Sequence, residues 1–242
     1  MAIYLTELDK TNYNFPSPYN AMEEPNGLLA FGGDLSPKRV LSAYQQGIFP
    51  WYGPGEPILW WSPSPRAVFD PTRFTPSRSL KKFQRKHQYQ VSINQATTEL
   101  IKHCASVRSA DETWIHDEMI EAYSALAKQG RCHSVEVWQE GRLIGGLYGL
   151  SLGKIFCGES MFSLQANASK IALWAFCDHF ASCGGMLIDC QVMNDHLSSL
   201  GAFELERDQF IQYLLSFRDE PIDSRCFHTQ WLTSNILGQK GK

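Results

Sequence analysis

A helix with no polar side sets the frame for this chain. The run KIALWAFCDHFA follows a cap at Asn167 or Ser169 and stops at Gly184-Gly185. It is apolar nearly all round, the pattern of a helix buried on every face rather than laid on a surface. Two short β-prone runs, Leu143–Leu150 and Ile155–Phe162, precede it across a Ser-Leu-Gly-Lys turn, and the strand MLIDCQV follows at once. A strand-helix-strand unit normally sets its two strands parallel with a right-handed crossover. The run at 155–162 and the run at 186–192 are therefore expected to flank one buried crossover helix.

Three residues break the apolar rule there. Asp189 and Gln191 lie two apart on one strand, so strand alternation sends both side chains to the same face. Glu159 shares a face with Cys157 and Met161 by the same rule. A carboxylate inside an apolar strand is costly unless it is paired or neutralised. Two acids and an amide on the strands flanking one crossover helix fit a polar floor between splayed strand ends, where open sheets bind ligands. The competing reading is that Asp189 and Glu159 only satisfy nearby backbone or a buried arginine; spacing leaves both open.

At 242 residues, with 43% hydrophobic and 12% aromatic content, the chain has ample material for a packed core. No apolar run reaches membrane-spanning length, and MAIYLTELDK lacks the basic start and apolar stretch of a signal peptide. Seven cysteines, none spaced C-x-x-C and most in runs that look buried, suit a reducing cytosol, so a cytoplasmic location is expected. No H-E-x-x-H and no Cys/His cluster of zinc spacing is visible, so no metal is expected.

The net charge of −3 argues against a general nucleic-acid binder, yet the charge is uneven. Arg66, Arg73, Arg78, Lys81, Lys82, Arg85 and Lys86 fall in one stretch opposed by Asp70 alone. On a helix opening near Ser77 or Ser79, Leu80 and Phe83 share one face while the cations point elsewhere. That is either the solvated side of an amphipathic helix or a phosphate-contacting patch with strongly salt-dependent binding.

Residues 13–35 are dense in Pro, Gly and Asn and predict turns rather than elements. Ser36 and Pro37 then open a helix that Gly47 closes. The aromatics Phe49, Trp51, Tyr52, Trp60 and Trp61 follow in a Pro-rich stretch, either as packing for a small N-terminal region or as flat faces for a base. A boundary near Ser62–Pro65 divides the chain into a small N-terminal domain, residues 1–62, and a larger one, residues 63–242. In the latter, YQVSIN reads as a strand, ATTELIKHCASV as a helix, HDEMIEAYSALAKQG as a helix with one apolar stripe, CHSVEVW as a strand, and DQFIQYLLSF as a late helix. Trp114, between them, is ambiguous between core and ligand face. The class is α+β with a mixed sheet.

These residues carry a resemblance. FPSP (15–18), EPNGLLAFGGDLSP (24–37), AYQQGIFPW (43–51), ILWWSPSPRAV (58–68), TWI (113–115), HSVEVW (133–138), FCGESMF (156–162), NASK (167–170), IDCQV (188–192) and DHLSSLGA (195–202) occur in the order seen in bacterial leucyl/phenylalanyl-tRNA–protein transferases. The chain resembles that family from about Phe15 into the 200s. The resemblance implies that the larger domain is GNAT-like. It implies transfer of Leu or Phe, and Met less well, from aminoacyl-tRNA to proteins or peptides beginning with Arg or Lys, which marks the acceptor for N-end rule degradation. Catalytic positions would be Asp189, Gln191 and Glu159. Trp51 and Trp114, with Tyr44 and Tyr123, would surround the 3′-terminal adenosine, and Leu147, Phe156, Phe176 and Ile188 would line the side-chain pocket. Leu147 stands where relatives are expected to carry Met, which bears on the choice between Leu and Phe. The tRNA backbone would lie along Arg73, Arg78, Lys81, Lys82, Arg85 and Lys86. A monomer without cofactor is expected.

The chemistry is consistent with this resemblance. An aminoacyl ester is already activated, so position and proton handling are what a protein must add. A coenzyme-A-dependent acetyltransferase would place a glycine-rich pyrophosphate loop before the crossover helix, whereas SLQANAS contains no glycine. A non-catalytic tRNA-binding module would explain the aromatics and cations but not buried acids on neighbouring strands.

Overall fold

The computed structural model describes residues 5–107 and 115–232. The chain begins with strands β1 (Thr6–Leu8) and β2 (Leu28–Gly32), helix α1 (Pro37–Tyr44), and strands β3 (Phe49–Pro50) and β4 (Leu59–Trp61). They form a small mixed sheet of order β1-β2-β4-β3 in which only β1 and β2 run parallel. Strand β2 corrects the expectation of turns alone over 13–35. Its five residues, LLAFG, are held by pairing with β1 and β4, partners a local pattern does not reveal.

Next come β5 (Arg66–Phe69), α2 (Arg78–His87), β6 (Gln90–Ile93), α3 (Thr97–Ser106), α4 (Asp117–Lys128) and β7 (Cys132–Gln139). The chain continues through β8 (Arg142–Leu152), β9 (Ile155–Ser163), α5 (Ala168–Ser182) and β10 (Leu187–Gln191). It closes with α6 (Asp195–Ser199), β11 (Phe203–Leu205), α7 (Arg207–Phe217) and β12 (Gln230–Leu232). The larger sheet has the order β11-β5-β10-β9-β8-β7-β6-β12, antiparallel throughout except where β9 meets β10. The protein is thus α+β with two mixed sheets.

Helix α5 is apolar all round because it is covered all round. It packs on β7, β8 and β9, and α2 lies against it. The C-terminal segment closes its other end, where Phe180 meets Phe227 with ring centroids 6.2 Å apart. Helices α3 and α4 cover the opposite face of the sheet. The small sheet joins that side: Ala30, Tyr44, Ile48 and Trp60 share one buried cluster with Leu100, Met119 and Leu126. Trp60 is fully enclosed, its indole N–H donating to the Gly32 carbonyl at 2.9 Å. Most of these N-terminal aromatics therefore serve packing.

The sheet opens where β9 and β10 part. They pair only from Ile155–Leu187 to Cys157–Asp189. Beyond that β9 stays with β8 as far as Ser163, while β10 ends. Each strand also carries a register shift beside the opening, β9 between Gly158 and Ser160 and β10 between Asp189 and Gln191. Such bulges bend a strand and re-aim its side chains. At Gly149, opposite the first bulge, an added Cβ would stand 2.6 Å from the Phe156 ring, so the backbone passes there only without a side chain.

Candidate active site

The parting strands enclose a cavity of about 1160 Å³. Its apolar wall residues include Phe69, Leu147, Phe156, Leu173, Phe176 and Ile188, and its polar ones Glu159, Ser160, Gln191, Asn194, Asp195 and His196. Trp51 and Tyr52, just past β3, border it too. All four residues expected in a side-chain pocket, Leu147, Phe156, Phe176 and Ile188, lie on the apolar wall.

Glu159 sits in the bulge of β9 and is gripped by two phenols. Tyr44 donates to its Oε1 at 2.7 Å and Tyr123 to its Oε2 at 2.8 Å, and the two hydroxyl oxygens are themselves 2.7 Å apart. Three short contacts need three protons, and the phenols carry two. With Glu159 ionised both phenols donate to it; with Glu159 protonated the carboxyl donates to one phenol, that phenol to the other, and the other back to the carboxyl. Burial disfavours the carboxylate, the phenol hydrogen bonds favour it, and the balance raises its pKa to about 7.

Tyr44 and Tyr123 do not meet the expectation of adenosine contacts. They are 1% and 0% exposed, neither borders the cavity, and both hydroxyls are committed to Glu159. The Tyr123 ring is packed edge-on to Tyr148 at 5.7 Å. In this structure both hydroxyls are spent on Glu159 and on each other. Trp51, in contrast, is 45% exposed beside the cavity, tilted 58° to Trp61 at 5.7 Å. Trp114 lies outside the described residues.

Asp189 and Gln191 do not leave one face together. The register shift between them and the left-handed backbone of Gln191, φ +62°, break the alternation. Gln191 reaches the cavity wall, with its Nε2 buried and unpartnered among the described residues. Asp189 is 1% exposed and turned beneath that wall. Arg66 Nε and Nη2 each donate to its carboxylate at 2.8 Å, and the Gln191 backbone N–H donates to its Oδ1 at 3.0 Å. Asp189 therefore holds the Gln191 backbone from behind the cavity lining and does not itself border the cavity.

Arg66 is the functional residue that charge counting misplaces. It is buried rather than part of the basic surface, and its guanidinium lies between the rings of Phe49 and Phe210, 4.8 and 4.6 Å away. Its Nη1 donates to the Gly47 carbonyl at 3.1 Å, in a left-handed turn where an added Cβ would stand 2.9 Å from Ile211 on α7. One side chain thus joins the small sheet, α7 and β10. The usable signal is its place at the start of the apolar strand RAVF.

The other cations behave differently. Arg78, Lys81, Lys82, Arg85 and Lys86 are exposed on α2 around the buried residues Leu80 and Gln84. Arg73, just before it, pairs with Asp70 at 3.2 Å while remaining largely exposed. The helix is capped by Ser77, whose hydroxyl accepts from the Leu80 N–H at 3.2 Å.

Fold and site together define an α+β protein whose open sheet carries a cleft lined by apolar side chains and by Glu159 and Gln191. A family model described as leucyl/phenylalanyl-tRNA protein transferase matches residues 68–215, and the model of that family's N-terminal domain matches residues 33–64. A leucyl/phenylalanyl-tRNA–protein transferase of Vibrio cholerae is 68% identical over 234 residues, covering 97% of this chain and 96% of its own. Those of Vibrio parahaemolyticus and Photobacterium profundum are 69% and 60% identical, each covering 96% of this chain and 98% of its own. The chain belongs to the leucyl/phenylalanyl-tRNA protein transferase family and is an enzyme, an aminoacyltransferase. Among the described residues, no helix is long and apolar enough to cross a membrane.

Proposed function

We propose that this enzyme moves Leu or Phe, and Met less well, from aminoacyl-tRNA to the N-terminal Arg or Lys of an acceptor protein. The new peptide bond would mark that protein for N-end rule degradation, and the enzyme would act as a cytoplasmic monomer. The observation that carries this reading is that Glu159, Gln191 and the apolar slot of Leu147, Phe156, Phe176 and Ile188 all border one cavity.

The apolar wall takes the aminoacyl side chain. A slot shaped for Leu or Phe, both unbranched at Cβ, rejects Ile and Val by clash, whereas a single methylene discriminates by only about 1–3 kcal/mol. Trp51 offers an aromatic face to the terminal adenine, with Trp114 its proposed companion. Gln191 holds the reacting groups: its Nε2, buried and without a partner among the described residues, turns to donate to the ester carbonyl, and its Oε1 accepts from the attacking amine. The amine nitrogen bonds to the carbonyl carbon as the bond to the ribose oxygen breaks. The amine gives up one proton to Glu159, which passes it, directly or through a water, to the departing ribose oxygen, so the carboxylate is restored. A free α-amine has a pKa of about 7.7–8.0, so part of it is already neutral at pH 7. Alignment of the two reactants supplies the remainder, up to roughly 7–11 kcal/mol in ideal cases.

The tRNA body is proposed to lie along Arg73, Arg78, Lys81, Lys82, Arg85 and Lys86, whose exposed cations suit phosphate contacts. Residues 63–242 are proposed as a GNAT-like acyltransferase domain behind a small domain of residues 1–62. In support, β4 and β5, on either side of this junction, belong to different sheets, and β9 and β10 part beside a buried crossover helix. The test is incubation of the purified chain with charged Leu-tRNA and an Arg-initiated peptide. The expected product is the peptide one leucine residue heavier; an unchanged peptide mass would refute the proposal.

A further inference from the structure

At the end of α5 remote from the cavity lies a cluster of donor atoms that the transfer chemistry does not use. His179 and Cys183 stand one helical turn apart, and Cys226 comes from the short 3-10 turn Ser224–Phe227. Their side-chain donor atoms all lie within 4.8 Å of one another, and Cys183 Sγ is 3.8 Å from His179 Nε2. A tetrahedral ion with metal–sulfur bonds of about 2.3 Å and metal–nitrogen bonds of about 2.0–2.1 Å holds its ligand atoms roughly 3.5–3.8 Å apart. The Cys183–His179 pair already stands at that spacing, and Cys226 Sγ, within 4.8 Å of both, has only to draw in.

We propose that His179, Cys183 and Cys226 form a binding site for a thiophilic divalent cation, with Zn2+ the ion their chemistry fits. Two thiolates neutralise a divalent charge, which suits a site where His179 is 6% and Cys226 0% exposed. Cys183 is half-buried and gives the ion a way in and a fourth position for water. The backbone holds the two segments together: the Asp223 N–H donates to the Cys183 carbonyl at 3.2 Å and the Cys226 N–H to the Asp223 carbonyl at 2.9 Å. The nearby carboxylate of Asp223 is paired with Arg225 and leaves the local charge balanced.

Binding exchanges one hydrogen bond for a metal bond. In the metal-free protein His179 Nε2 lies 2.8 Å from the Cys226 carbonyl. With the ion bound, the ring proton moves to Nδ1, Nε2 takes the metal, and the two thiols release their protons to solvent. The site also has a mechanical consequence. Phe227, next to Cys226, stacks on His133 at 4.0 Å and lies 6.1 Å from Phe156, which borders the cavity. A bound ion therefore braces the layer behind the apolar wall. A zinc spacing within one short run of sequence misses this site because its third donor comes from a distant segment.

The test uses the full reduced chain with Cd2+ as an optical probe, followed by Zn2+ competition against a chromophoric chelator. The expected result is one equivalent of Cd2+ bound with thiolate-to-metal absorption, displaced by Zn2+. Removing an outer partner of a ligand already costs about 10–100-fold in metal affinity, so Cys183→Ala and His179→Gln should each weaken Zn2+ binding by at least about 100-fold. Both variants should remain folded by circular dichroism, and Cys104→Ser should bind as wild type does. Absence of binding at one equivalent, undiminished affinity in Cys183→Ala, or a Cys183–Cys226 disulfide formed in place of metal retention would overturn the proposal.

Discussion

The two walls of the cavity are built by opposite rules. Phe156, Leu147 and Ile188 come from strands and Phe176 from a helix, all at places where regular periodicity delivers an apolar side chain. On the same strands, Glu159 and Gln191 reach the cavity at two register shifts, and Gln191 does so with a left-handed backbone. An apolar wall needs only shape, which repetition supplies. A polar wall needs single atoms at particular points, and here these lie where the repeat fails. Support differs as well: packing holds the apolar wall, while buried hydrogen bonds from Arg66, Asp189, Tyr44 and Tyr123 hold the polar one.

If that contrast is right, the greatest loss should come from breaking the support of the polar wall. Arg66→Met leaves the Asp189 carboxylate buried without its partner and should cost about 3–5 kcal/mol in urea denaturation. Replacing both, Arg66→Met with Asp189→Leu, should restore most of that stability without restoring turnover. A double variant as unstable as the single one would show that the ion pair is not what the wall rests on.

Glu159→Gln comes next. General-base catalysis contributes typically about 10²–10⁴-fold, so turnover should fall at least about 100-fold. The rise in wild-type rate through about pH 7 should vanish, leaving only the titration of the acceptor amine. Stability should move the other way. A carboxyl whose folded pKa is raised from 4.5 to about 7 binds more protons folded than unfolded, so its contribution is full below pH 4.5 and is lost as pH rises through 7. Urea midpoints measured across that window should fall for the wild type relative to Glu159→Gln. Parallel curves would remove Glu159 from the proton path.

Replacing Lys81, Lys82, Arg85 and Lys86 together with alanine should weaken tRNA binding and flatten its dependence on salt. Every phosphate that goes without its cation lowers the log–log slope by about 0.7–0.9. An unchanged slope would return α2 to an ordinary solvated face. The smallest effect is expected on the apolar wall: Leu147→Met should cost under about 1.5 kcal/mol of stability. It should shift the ratio of Phe to Leu transfer in competition assays, and no shift would mean that Leu147 does not limit the slot.

The same contrast explains which features are legible in the sequence. Helix α5 and the runs of β8, β9 and β10 are legible because burial on every side leaves an unbroken apolar pattern. Asp189, Gln191 and Glu159 stand out as exceptions to that pattern. Their orientations do not, because a bulge adds a residue without changing composition, so alternation assigns Asp189 and Gln191 to one face. Arg66 counts with its surface neighbours because its partner lies 123 positions along the chain. Tyr44 and Tyr123 are expected at a ligand because a sequence shows a ring but not what its hydroxyl is holding. Strand β2 is hidden among glycines and prolines and is formed by pairing rather than by propensity.

The central claim is that Gln191 holds the reacting ester and amine from the polar wall of this cavity. Single-turnover transfer from saturating Leu-tRNA to an Arg-initiated peptide, compared between wild type and Gln191→Ala, tests it most directly. Losing one preorganised donor of this kind typically costs about 10²–10³-fold, and that fall is predicted with Leu-tRNA affinity unchanged. A Gln191→Ala enzyme that transfers at the wild-type rate would contradict the account.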